Sequence, residues 1–234
     1  MLPVGPPGYG ESPYSAQSAF AGNPSFVSPE DLGPEGGLDE AFDRWRARGK
    51  DSGYLRFCKR AGGWLDDFAL FRALKRAHGG VQWTLWERGT KKRDPKALSS
   101  ARRELARDIA FEKFVQYAFD TQWSALRKYA KERGVALIGD IPLVVAHDSA
   151  DVWQHAELFF LDEAGEPTSV AGVPPDYFSA TGQRWARSRQ YSRRGASSSS
   201  VASFAGNGAS PSTRGNGRSP VSSTSSQRTC PTVM

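Results

Sequence analysis

Hydrophobic positions along the chain follow two different rhythms. Trp64, Leu65, Phe68, Phe71, Leu74 and Ala77 return at three- and four-residue steps, the spacing of one face of an α-helix, and Gly79-Gly80 supplies a C-terminal stop. A longer helical pattern, broken once at most, runs from about Lys96 to Arg133 with Leu98, Leu105, Ile109, Phe114, Val115, Ala118, Trp123, Leu126 and Tyr129 on its inner side; Gly134 ends it. The period then changes. Residues 135–146 form a nearly continuous apolar run with β-branched members, interrupted only by Asp140 and Pro142, and such a run predicts a strand buried on both faces. A helix leading into such a strand is the signature of an α/β fold. Acids at the carboxyl ends of strands are where α/β barrels and open sheets place their sites, which makes Asp140 a candidate; capping the following turn is the alternative, and spacing alone does not separate the two.

The two ends differ from this middle. Residues 1–37 are rich in Gly, Pro, Ser and aromatic residues, with breakers at Pro6-Pro7-Gly8, Pro24, Pro29, Pro34 and Gly36-Gly37, and predict an ordered but irregular loop system. Past Trp185, 49 residues hold 14 Ser, seven Arg, five Gly and no Leu, Ile or Trp. A segment of that kind buries too little apolar surface to offset its ordering entropy and is expected to be disordered. The chain therefore divides into residues 1–185 and a Ser/Arg-rich tail, residues 186–234.

Charge follows the same division. The chain carries +6 formally, but the tail holds seven Arg and no acid, so residues 1–185 are left at −1. The basic balance thus gives the folded part no nucleic-acid partner, and one Tyr and one Phe in the tail are too few to stack bases as an RNA-binding arm. Cys58 and Cys230 form neither a disulfide framework nor a thiolate metal spacing, which fits a reducing compartment. The first residues lack a basic segment followed by an apolar core, and no apolar run approaches the length that spans a bilayer. The expectation is a soluble cytoplasmic protein with no membrane partner.

Candidate chemistry is sparse. His147-Asp148-Ser149 contains the residue types of a hydrolase triad, but consecutive side chains point apart and cannot relay a proton among themselves; Asp148 or Ser149 is expected instead to cap a short helix over residues 150–153. His78, His147 and His155 have no metal-ligand spacing, and no phosphate-binding glycine loop occurs, so neither a metal nor a cofactor is expected. More informative are two loops dense in aromatic and polar residues, Tyr9 to Tyr14 and Pro174 to Trp185. Rings among hydrogen-bonding groups suit a flat polyhydroxylated ligand such as a sugar; equally, they can anchor Pro-rich loops to the core.

A series of motifs lies at these same residues. It comprises Gly8-Tyr-Gly-Glu-Ser-Pro-Tyr14 with Ala19-Phe-Ala-Gly-Asn-Pro24, Trp64-Leu-Asp-Asp-Phe-Ala-Leu-Phe71 with His78-Gly-Gly80, Ile138-Gly-Asp-Ile-Pro142 with Asp148-Ser-Ala-Asp-Val-Trp153, and Ala171-Gly-Val-Pro-Pro-Asp-Tyr-Phe-Ser179 with Gly182-Gln-Arg-Trp185. In this order they resemble the 4-α-glucanotransferases, or amylomaltases, over nearly all of residues 2–185. The resemblance implies an incomplete TIM-type (β/α)8 barrel of the α/β class with a helical insertion. It also implies transfer of a 1,4-α-glucan segment to the 4-hydroxyl of an acceptor sugar, with α-1,4-glucans and maltooligosaccharides as partners. Retaining transfer needs a nucleophilic carboxylate and a second carboxyl acting as acid and base. The family's nucleophile stretch, roughly Arg-Ile-Asp-His-Phe-Arg-Gly, has no counterpart in these 234 residues, so the chain alone is expected to be inactive. By resemblance, Tyr14 and Asp140 match donor-side sugar contacts, Tyr177, Phe178 and Trp185 match the loop over the acceptor side, and Tyr9 matches an accessory glucan contact. A non-catalytic α-glucan-binding module is the alternative reading.

Overall fold

The computed structural model describes residues 1–8, 11–33, 36–49, 51–140 and 145–169, together with the backbone of Val170–Val173 and Gln183–Ala186. These residues fall in one compact unit, Met1–Gly195. They hold the helices α1 (Leu38–Arg48), α2 (Ser52–Arg60), α3 (Leu65–Ala77), α4 (Arg88–Lys91), α5 (Pro95–Glu104), α6 (Ala106–Glu132) and α7 (Ala150–Gln154). Strands β1 (Val170–Val173) and β2 (Gln183–Ala186) pair antiparallel, with Ala171 opposite Trp185.

The two predicted helical patterns appear as α3 and as α5 followed by α6. The break falls at Leu105, whose φ of −100° and ψ of 22° leave the helical range, while its side chain still packs on the core. Asp94 opens α5, accepting the amides of Lys96 and Ala97 at 3.0 and 3.1 Å, with Pro95 in the first turn where its missing N–H costs no hydrogen bond. Helix α3 starts with Asp66 and Asp67 and ends with Lys75 and Arg76, charges that complement the helix dipole. At its end Gly80, with φ of +82°, returns its amide to the Lys75 carbonyl at 2.7 Å; a side chain there would strain the left-handed backbone.

Helix α6, about 40 Å long at 1.5 Å per residue, is the spine against which α1, α2, α3 and α5 pack. Its Phe111, Phe114, Val115 and Ala118 meet Phe42 of α1 in one apolar cluster. Phe68, Leu70, Phe71 and Leu74 of α3 meet Trp83, Trp86 and Trp153 in a second, and Phe57, Ala61 and Leu65 form a third. Leu126 and Tyr129 were expected on the inner side of the long helix. Both are more than half exposed, while Ala130 between them and the end of the helix is buried. Helices α1 and α2 have no counterpart among the predicted elements.

Residues 135–140 depart from the predicted buried strand. They carry no regular secondary structure and are exposed throughout, and residues 141–144 lie outside the described residues. Of the tail expected to be disordered, residues 187–234 also lie outside that set; the backbone of Trp185 and Ala186, on either side of the expected division, lies within β2.

Within the irregular loop system expected over residues 1–37, side chains hold the backbone of the described residues at spaced points. Gln116 of α6 accepts the Gly22 amide at 2.8 Å and donates to the Gly22 carbonyl at 2.9 Å. Further along the same helix Gln122 does the same for Ser28, at 2.9 and 2.8 Å. Gly22 suits this approach: a Cβ there would lie 2.2 Å from the Phe119 ring. Asp151 of α7 accepts the Ala19 amide at 3.1 Å, and the Ala146 and Ala150 amides donate to the carbonyls of Ala16 and Gln17.

Candidate functional site

The loop before α1 and the segment after α6 meet at Tyr14 and Asp140. A bridge between Pro7 and Ala16 closes the 8–15 loop, the Gly8 amide reaches the Ser15 carbonyl at 2.6 Å, and Ser15 returns its own amide to Ser12. This presents Tyr14 outward, where its hydroxyl donates to Asp140 Oδ2 at 2.9 Å across 126 residues of sequence. The hydrogen bond to the carboxylate, with slight burial and the carboxylate's charge adding to it, holds the Tyr14 phenol above its ordinary pKa. The hydroxyl is therefore a committed donor at neutral pH. Asp140 is placed through its backbone as well, its amide donating to the Met1 carbonyl at 3.1 Å.

Behind the loop lies a polar chain centred on the buried Glu112. Gln17 accepts from Arg72 at 2.6 Å, Arg72 lies 3.7 Å from the Glu112 carboxylate, and Arg76 donates to Glu112 at 2.9 Å. Burial raises the pKa of Glu112, and the two guanidiniums work against that rise. Gln17, Arg72, Glu112 and Gln116 were not singled out among the sequence candidates. The signal available was Glu112 and Gln116, polar residues one turn apart amid the inner-face positions of α6.

His147, Asp148 and Ser149 are dispersed into separate structural tasks. Ser149 Oγ accepts the Val152 amide at 3.2 Å and caps α7, which settles the capping role on Ser149. Asp148 pairs with Lys75 and accepts the Trp83 amide, while His147 bonds the Gly165 carbonyl. Among the described residues no group of three His, Cys, Asp or Glu could hold a metal ion, and no helix is long and apolar enough to cross a membrane. A cavity of about 250 Å³ between α4 and the 161–165 turn is lined by Lys91, Lys92 and Asp162, among others. These groups serve the turn itself: both lysines donate to backbone carbonyls and Asp162 accepts the Glu166 amide.

Of the predicted contacts, the structure brings Tyr14 and Asp140 together. Trp185 sits on β2 with its backbone opposite Ala171. Tyr9, Tyr177 and Phe178 lie outside the described residues.

The family model described as 4-alpha-glucanotransferase matches residues 35–192, from just before α1 to beyond β2. The chain belongs to the 4-alpha-glucanotransferase family. The 4-alpha-glucanotransferase of Thermus thermophilus is 46% identical over 213 residues, covering 79% of this chain and 43% of the relative. That of Synechocystis sp. is 38% identical over 218 residues, with the same shares of each chain. A solved amylomaltase from Streptococcus agalactiae, in complex with acarbose, superposes with a TM-score of 0.73 at 29% identity, covering 82% of this chain and 46% of that one. The chain thus has an amylomaltase-like fold and spans less than half the length of these relatives.

Proposed function

We propose that this chain forms the donor-side portion of a 4-α-glucanotransferase, in which Tyr14 and Asp140 hold a sugar unit of a 1,4-α-glucan. The observation that carries the reading is the Tyr14–Asp140 hydrogen bond, which joins two residues far apart in sequence at an exposed point. Asp140 Oδ2 is engaged by the phenol, and Oδ1 is left to accept from a sugar hydroxyl, while the half-exposed Tyr14 ring offers a face for stacking. On this reading Tyr177, Phe178 and Trp185 contact the acceptor side and Tyr9 an accessory glucan segment. Retaining transfer to an acceptor 4-hydroxyl requires two carboxyls about 5–5.5 Å apart astride the bond that is cut. The nucleophile stretch of the family has no counterpart in this sequence, so the chain by itself holds glucan without transferring it.

Affinity electrophoresis in amylose gels tests the contact, and glucose release from maltotriose tests the transfer. The chain should be retarded by amylose. Tyr14→Phe and Asp140→Asn should each weaken that retardation by about 10- to 100-fold in affinity, the equivalent of a charge-assisted hydrogen bond of about 1.5–3 kcal/mol. No glucose should be released. Retardation unchanged in both variants would remove Tyr14 and Asp140 from the site, and glucose release would require a catalytic pair within this chain.

A further inference from the structure

Tyr14 and Asp140 belong to two segments that are joined a few residues away. On one side of the junction the Gly8 amide reaches the Ser15 carbonyl at 2.6 Å and the Gln17 amide reaches the Pro6 carbonyl at 2.8 Å. On the other, the Ala146 and Ala150 amides reach the carbonyls of Ala16 and Gln17 at 3.0 and 2.9 Å. Tyr14 leads directly into this junction, and Asp140 lies six residues before Ala146. The backbone bonds tie the segments together but select their register weakly, because the buried side chains here, Ala16 and Ser18, are small and a slip by one residue forfeits little apolar burial. A side-chain bond fixes the junction from behind. Gln17 Oε1 accepts from Arg72 Nη1 of α3 at 2.6 Å. Arg72 is placed in turn by Glu112 of α6: its Nε lies 3.7 Å from one carboxylate oxygen, and Arg76 donates to the other at 2.9 Å while reaching Asp108 at 3.2 Å. Glu112 is 2% exposed, which makes its carboxylate a fixed point on the α6 spine.

We propose that Arg72 is a positioning residue for the Tyr14–Asp140 pair: held by Glu112, it fixes Gln17 and so sets the register in which the Tyr14 hydroxyl meets Asp140 Oδ2. Two observations select Arg72 for this task. Going back from Gly22 toward Tyr14, the side chains that anchor the loop are Gln116 on Gly22, Asp151 on Ala19 and Arg72 on Gln17, and Arg72 holds the residue nearest Tyr14. The anchor is also an ion pair with a deeply buried carboxylate. Such a pair adds little stability over apolar residues of the same volume, and its best-attested use is to select one register among several. The consequence for glucan rests on the sugar contact proposed above, whereas the positioning concerns a bond that forms without ligand.

The test follows the phenol titrations of the full chain by NMR with isotope-labelled tyrosine, Tyr14→Phe assigning the Tyr14 signal. The Tyr14 phenol titrates above its ordinary value because of Asp140, and the Tyr117 phenol, raised first by burial and then by Asp51, is the internal reference. Gln17→Leu removes the acceptor at a half-buried loop position; it should return Tyr14 toward the ordinary value and leave Tyr117 in place. Gln17→Glu keeps an acceptor for the guanidinium and should preserve the Tyr14 titration. Replacing both Arg72→Leu and Glu112→Leu should reproduce the effect of Gln17→Leu while the melting temperature stays the same or rises. Amylose retardation should weaken about tenfold in Gln17→Leu and in the paired variant, the loss of one well-placed hydrogen bond, and stay unchanged in Gln17→Glu. A Tyr14 titration unmoved by Gln17→Leu would overturn the proposal, and so would a fall of Tyr14 and Tyr117 together, the mark of general loosening, or equal effects of Gln17→Leu and Gln17→Glu. The two Gln17 variants decide the matter if the paired replacement does not fold. A Tyr14 titration that moves in Gln17→Leu alone while amylose binding is undiminished would support the positioning and refute the glucan contact.

Discussion

Gln116→Ala isolates the device that orders the first loop. Gln116 is 2% exposed and makes two hydrogen bonds, one to each backbone polar group of Gly22. Truncation leaves a buried N–H and a buried C=O without partners. Each such group costs about 1–3 kcal/mol, so the variant should lose about 2–6 kcal/mol. For a folded unit of this size about 1 kcal/mol moves the melting temperature by 2–4 °C, which predicts a fall of about 4–24 °C. Gln122→Ala removes the same pair of bonds from Ser28, but at a site only partly buried, where water replaces them; it should cost less than about 1 kcal/mol. Thermal and urea denaturation, followed by tryptophan fluorescence, give the two values side by side. Amide exchange at Gly22 should accelerate in Gln116→Ala alone. Equal destabilisation by the two variants would refute the reasoning, because the difference in burial, not the number of bonds, is what separates them.

Ser149→Ala removes the cap of α7 at a fully buried position and should destabilise by about 1 kcal/mol, read as a shift in the urea midpoint; Ser149→Gly should cost only a few tenths. His78 gives a pH dependence of definite sign. Burial acts to lower its pKa, but the hydrogen bonds to Glu87 and to the Leu74 carbonyl outweigh it and hold the imidazole above its ordinary 6.5, while the same pairing holds Glu87 below its ordinary 4.5. The His78 contribution is therefore fully present below about pH 6.5 and lost as pH rises through the folded value; the Glu87 contribution is present above about pH 4.5 and lost on acidification through its folded value. The stability difference between the protein and His78→Gln should be largest between those limits and shrink toward pH 8; a difference flat across that range would contradict it.

What was legible in the sequence was local periodicity and punctuation. Helix α3 and the α5–α6 pair follow from apolar residues at helical spacing between Asp or Trp starts and glycine stops, signals that need no distant partner. Helices α1 and α2 escaped because their apolar positions are few and separated by charges; Phe42, Trp45, Tyr54 and Phe57 declare themselves only by packing on Phe114 and Tyr117. The site divides along the same line. Tyr14 and Asp140 could be named from their motifs, but the side chains that hold the neighbouring loop, Gln116 on the Gly22 backbone, Asp151 on the Ala19 amide and Arg72 on the Gln17 side chain, are recognised only once the chain is folded. The run over residues 135–140 shows the converse. Its composition specifies burial on both faces, and composition is a statement about what a segment needs, whereas exposure reports what is present to meet that need.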